Sequence, residues 1–134
     1  MTRKARPVPP SAPSLAITFL YYRDLPAAEA FYTGTLGLPL VIDQGWAKIL
    51  RLADGAHVGL VDETRGMNDW QRDKCVQLCL RVADVDAWHD WAKSEDLPGL
   101  SQMFVNDEIG IRAFVFTDPE GYQIEVQTPT RAGA

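Results

Sequence analysis

Histidine and cysteine are scarce in this 134-residue chain, with two of each: His57, His89, Cys75 and Cys79. So few soft donors leave no zinc-finger or redox pattern, which needs further ligands at close spacing. At roughly 3.3 Å per strand residue, Cys75 and Cys79 would be about 13 Å apart on one extended strand, too far for a disulfide. They read as reduced, half-buried small residues. No apolar run approaches the roughly 18 residues of a membrane span, and the basic start MTRKARPVPP lacks the apolar stretch of a secretory signal. The expectation is a cytoplasmic protein without a membrane partner. Basic excess is also missing: the net charge is -5, against the positive stripe of a nucleic-acid surface.

What remains is an ordinary globular composition, 46% hydrophobic and 23% charged, sized for one domain. Residues 1–14, with Pro7, Pro9, Pro10 and Pro13, read as a disordered tail. The domain spans 15–128, with a first repeat at 15–61, a polar linker at 62–74 and a second repeat at 75–128; residues 129–134 read as a second tail. Trp70 is the linker's odd member, able to pack on its own chain or on a partner subunit.

Each repeat reads strand, helix, then three strands. LAITFLYY is β-branched and aromatic, as strands are. Asp24 caps a helix running to about Thr35, with Pro26 in its first turn and Ala27, Ala30, Phe31 and Leu36 as its apolar stripe. Strands at 39–43, 46–52 and 57–61 follow, with turns at Gly45 and Asp54-Gly55. In the second repeat the strand 75–82 leads to a helix opened by Asp84, with Val85, Trp88, Trp91 and Ala92 on its apolar face and His89 solvated. Strands at Phe104, 111–117 and 121–127 complete it. Asp24 and Asp84 stand sixty residues apart, Gly55 and Gly121 sixty-six, so six residues are added in the second repeat; they are expected in the 95–110 loop. Two such halves each leave one apolar sheet face that pairing buries.

The segments ITFLYYRDLPAAEAFYTGTLGLPLV and FTDPEGYQIEVQ resemble the opening and closing signatures of the vicinal-oxygen-chelate superfamily, which groups glyoxalases, bleomycin-resistance proteins and extradiol dioxygenases. The likeness covers residues 15–128. It implies an α+β fold, two βαβββ repeats forming curved mixed sheets around a cup, and a homodimer whose cup is built within or between chains. It also locates the family's four metal-ligand positions, at Ile17, Gly59, Gln77 and Glu125. Isoleucine and glycine have no donor to offer a cation. The resemblance therefore implies a cup with no metal expected and no other cofactor.

Strand alternation adds Phe19, Tyr21, His57, Val61, Cys75, Cys79, Arg81, Gln123 and Gln127 to the cup face, with the absent side chain at Gly59 enlarging it. The ligand-binding candidates are Phe19, Tyr21, His57, Gln77, Cys79, Gln123 and Glu125, a polar-aromatic set suited to a small molecule. The leading expectation is binding of an amphipathic or aromatic molecule, as in superfamily members that sequester antibiotics. Two enzyme readings compete with it. In one, a divalent metal held by His57, Gln77 and Glu125 serves a lyase, isomerase or dioxygenase. In the other, His57 and Glu125 form a metal-free acid–base pair. The Asp118-Pro119-Glu120-Gly121 turn reads as structural.

Overall fold

The structure is a computed structural model and describes residues 6–134; the first five residues of the expected tail lie outside it. Residues 6–15 form no helix or strand and are exposed.

Eight strands and two helices follow in the order the repeat implies. The first half holds β1 (Ala16–Tyr22), α1 (Leu25–Glu29, continued by a wider π-helical stretch, Ala30–Thr35), β2 (Leu40–Asp43), β3 (Ala47–Ala53) and β4 (Ala56–Asp62). The second holds β5 (Gln77–Arg81), α2 (Val85–Ser94), β6 (Phe104–Asn106), β7 (Ile111–Thr117) and β8 (Gln123–Pro129). Each half is a four-stranded sheet, ordered β1-β4-β3-β2 and β5-β8-β7-β6, with the outer pair parallel and the others antiparallel. The fold is α+β, with two repeats of unclosed mixed sheet. Among the described residues no helix is long and apolar enough to cross a membrane.

The two caps do the same job. Asp24 accepts from the Ala27 N–H and Asp84 from the Ala87 N–H, each at 3.1 Å. Gly55 and Gly121 take φ of 75° and 93° in their turns, a region glycine enters without steric cost. The repeat offset is 60 at the helix starts, 64 at the starts of β3 and β7, and 66 where β4 and β8 pair with β1 and β5. Four of the six added residues thus precede β7; the other two lengthen the Asp118–Tyr122 turn.

That longer turn clasps the halves. Asp118, almost fully buried, accepts from the hydroxyls of Tyr22 (2.5 Å) and Tyr32 (2.8 Å), and from the backbone N–H groups of Glu120 and Tyr122. Glu120 accepts from the N–H groups of Arg23 and Asp24, and Tyr122 bonds both backbone groups of Tyr21. Burial and the neighbouring Asp118 carboxylate push the Tyr22 and Tyr32 hydroxyls far above the usual tyrosine range, so both remain donors. Trp70 packs on its own chain, between the Arg23 guanidinium at 3.6 Å and the Lys74 ammonium at 3.9 Å.

The core lies on the helix-covered side of the sheets. Leu20, Tyr22, Leu50, Val58 and Leu60 meet Leu25, Ala28, Phe31 and Tyr32 of the first helix. Leu78, Phe114, Phe116, Ile124 and Val126 meet Val85 and Ala92 of α2. Phe31 and Phe116, centroids 6.4 Å apart, join the halves. Each such large side chain contributes about 1.5–3 kcal/mol by burial.

Both helical faces differ from expectation. Ala27 and Ala30 are exposed; the buried stripe is Leu25, Ala28, Phe31 and Tyr32. Counting the stripe from Ala27 set it out of phase, and the wider π turn then buries two successive residues. His89, expected in solvent, is buried: Nε2 lies 2.9 Å from the Ser101 carbonyl and the ring packs on Phe114. The polar loop reaching over α2 supplies its partner, which helical periodicity cannot foresee. The chain end is tied down: Arg131 donates to the Asp107 and Glu108 carbonyls, and Arg81 to that of Ala134.

Candidate functional site

On the helix-free face of the first sheet, β1 and β4 pair in register: Ile17 with His57, Phe19 with Gly59, Tyr21 with Val61. The space beside Gly59 is not open. A Cβ built there would lie 2.4 Å from Phe19 Cδ1 and 3.2 Å from Ile17 Cγ2. The Phe19 ring fills the place of a side chain at 59, so the expectation that Gly59 enlarges the cup is wrong. Sequence spacing placed both residues on one face but could not show that a ring swings onto its glycine neighbour. His57 is 9% exposed, and its Nδ1 is buried with no hydrogen-bond partner.

Towards the other end of these strands lies an apolar cavity of about 120 Å³, lined chiefly by Phe19, Tyr21, Trp46, Val61 and Met67. The linker roofs it. Gly66 sits so close to Val61 and Tyr21 that a Cβ would come within 2.6 and 2.7 Å of them, and Asn68 Nδ2 donates to the Tyr21 hydroxyl at 3.1 Å. Strand alternation found Phe19, Tyr21 and Val61. It missed Trp46 and Met67, which lie on loops. The one available signal was an aromatic beside the Gly45 turn.

The second sheet presents a polar ladder. Gln77 Nε2 donates to Gln123 Oε1 at 2.5 Å, and Cys79 Sγ lies 3.5 Å from Glu125 Oε2. Gln127 Nε2 donates to the same oxygen at 2.6 Å, while Arg81 Nε and Nη2 donate to Gln127 Oε1. The buried Ile124 and Val126 point the opposite way, so Gln123, Glu125 and Gln127 share the helix-free face. Cys75 and Cys79 are both free and exposed, where half-burial was expected, because no loop covers β5 as the linker covers β1. Desolvation first, then the Glu125 carboxylate, raises the Cys79 thiol above its ordinary value. Glu125→Gln should therefore speed alkylation of Cys79 by iodoacetamide near pH 8, since the thiolate is the nucleophile. An unchanged rate, followed by peptide mass spectrometry, would contradict this contact.

The four inherited ligand positions thus form two pairs. Ile17 and Gly59 share one patch of the first sheet, and Gln77 and Glu125 one patch of the second. Among the described residues no hydrogen bond joins the two sets, or His57 to Glu125, and no group of three His, Cys, Asp or Glu residues could hold a metal ion. The family's metal centre does not fit this donor set. Two positions carry no donor, one of these is filled by an aromatic ring, and the Gln77 amide and Glu125 carboxylate are already engaged with their neighbours.

The model of the Glyoxalase/Bleomycin resistance protein/Dioxygenase superfamily matches residues 14–126. No protein of curated function matches the chain. Among solved structures, the lactoylglutathione lyase of Agrobacterium tumefaciens is similar at 24% identity and a TM-score of 0.71, over 95% of this chain and 100% of that one. A glyoxalase/bleomycin resistance protein/dioxygenase from Nocardioides is similar at 18% identity and a TM-score of 0.75, over 94% and 89%. TioX from Micromonospora sp. ML1 is similar at 20% identity and a TM-score of 0.70, over 87% and 99%. At these identities the likeness is one of fold, and it agrees with the repeat, the paired sheets and the register described above. With its family model spanning almost every residue of both repeats, this chain belongs to the glyoxalase/bleomycin resistance protein/dioxygenase superfamily.

Proposed function

We propose that this chain is a metal-independent small-molecule-binding protein of the cytoplasm, which holds an aromatic or amphipathic compound on the helix-free face of its sheets. Sequestration of an antibiotic is the activity this reading fits best. The observation that carries it is the Phe19 ring seated over Gly59. It closes a metal-ligand position and forms one wall of the aromatic cavity with Tyr21 and Trp46. Apolar walls with a few convergent polar groups are the usual make-up of a ligand pocket.

The test uses 8-anilinonaphthalene-1-sulfonate, an aromatic anion that brightens in apolar sites. It should bind saturably, and Trp46→Ala should weaken it about tenfold, the equivalent of about 1.4 kcal/mol. Unchanged affinity in that variant would remove the cavity from the binding site.

The same reading makes the protein a homodimer, each cup closed by sheets from two chains. Its support is apolar side chains left in solvent on this face and on the edge strands: Phe19 (45% exposed), Leu40 and Ile42 in the first sheet, Trp46 in the loop before β3, and Phe104 and Val105 in the second sheet. Sedimentation velocity at micromolar concentration should give a dimer; a monomer throughout would contradict it.

A second reading, a metal-free acid–base enzyme, is favoured by the unpartnered, buried Nδ1 of His57. His57→Asn would abolish turnover under that reading, whereas under the first the wild-type protein itself turns nothing over.

A further inference from the structure

On the opposite, helix-bearing side, a cleft of about 360 Å³ separates the end of the first helix from α2, lined by Thr35, Leu36, Ala87, Trp88 and Trp91. The two tryptophans are half-buried, edge to face, with ring centroids 5.6 Å apart. As expected of the apolar face of α2, they pack against the core with one side; with the other they floor the cleft. Neither indole N–H donates to a protein group among the described residues, and neither is buried. Asp84 stands four residues before Trp88 and Glu95 four after Trp91, on the same face of the helix. Both are exposed, and neither is in a salt bridge among the described residues. An aromatic floor, two free indole donors and flanking carboxylates are complementary to a proline-rich segment carrying a positive charge.

The chain itself carries such a segment. Arg6-Pro7-Val8-Pro9-Pro10-Ser11-Ala12-Pro13 has prolines at 7, 10 and 13. A polyproline II helix turns once every three residues, so these three rings form one ridge. Such a helix makes no internal hydrogen bonds, which leaves its carbonyls free to accept from indole N–H groups. No acidic residue precedes Asp24, so the segment is purely basic, whereas Asp84 and Glu95 flank the two tryptophans along α2. In this structure it is fully exposed, Val8 at 81%, and does not lie in its own chain's cleft. We propose that the Arg6–Pro13 segment of a second copy of this chain docks in the Trp88–Trp91 cleft, on the side of the protein away from the ligand face.

The test titrates full-length, ¹⁵N-labelled protein with a synthetic peptide of residues 6–14 and follows the four indole N–H signals, assigned with single Trp→Phe variants. The signals of Trp88 and Trp91 should move saturably, while those of Trp46 and Trp70 stay fixed and report an intact fold. Trp91→Leu should weaken the peptide at least tenfold, and a peptide with serine at 7, 10 and 13 should give no saturable shift. Absence of shifts, equal shifts with the serine peptide, or shifts confined to Trp46 would overturn the proposal. So would a full-length Pro7→Ser/Pro10→Ser/Pro13→Ser variant whose Trp88 and Trp91 signals differ from wild type equally at every dilution. That result would put the chain's own segment in the cleft. None of these readouts depends on the ligand face.

Discussion

Asp118→Ala is expected to cost about 3–5 kcal/mol of stability, the range for removing one member of a buried charged network. Among the described residues the Tyr22 and Tyr32 hydroxyls meet only this carboxylate and each other, and it also serves two backbone N–H groups of its own turn. Its removal strands two buried phenols and unties the two halves at once. For a chain of this size the melting temperature should fall by about 10 °C or more. Asp118→Asn keeps the shape but offers Tyr22 and Tyr32 a neutral amide, and should cost less, about 1–3 kcal/mol. Thermal or urea unfolding monitored by circular dichroism decides the matter; a loss under 1 kcal/mol for the alanine variant would mean that the turn is no clasp.

A side chain at Gly59 should displace the Phe19 ring from the helix-free face. In a strand, glycine to alanine ordinarily stabilises by about 0.5–1 kcal/mol. Here the added Cβ would meet the outer part of the Phe19 ring at 2.4 and 2.6 Å, and the ring, half in solvent already, swings outward at the loss of its packing on the sheet, about 0.5–1 kcal/mol. Lost packing and backbone gain nearly cancel, and Gly59→Ala should change stability by less than about 0.5 kcal/mol in the wild-type protein. In a Phe19→Ala background the same change should stabilise by about 0.5–1 kcal/mol. The two substitutions are thus coupled, with an interaction energy of about 0.5–1 kcal/mol in a double-mutant cycle. Additive effects would show that the ring does not occupy the position. Gly59→Glu alone should bring no metal affinity, since Ile17 beside it offers no donor and Gln77 and Glu125 stand on the other sheet, engaged with their neighbours.

The fold was legible because its signals are local and repeated. The Asp24 and Asp84 caps, the Gly55 and Gly121 turns and the alternation in β1, β4, β5 and β8 recur at matching places, and each names one element. The equivalence of Gly59 with Glu125 also follows from that repeat, and the strand register bears it out. What stayed hidden depends on side-chain direction and on loops. No period shows that Phe19 leans onto Gly59, that Trp46 walls a cavity from outside the strands, or that Ser101 offers His89 a buried partner. The Asp118-Pro119-Glu120-Gly121 turn read correctly as structural, but its tie to two tyrosines 86 and 96 residues away is a tertiary fact.

The central claim is that this cup works without a metal, and calorimetric titration of chelator-treated protein with Zn²⁺, Ni²⁺ and Mn²⁺ tests it most directly. The account predicts no stoichiometric binding of any of them, with the response to an aromatic probe unchanged by their presence. One cation taken up per cup, with an affinity that Glu125→Gln abolishes, would contradict it.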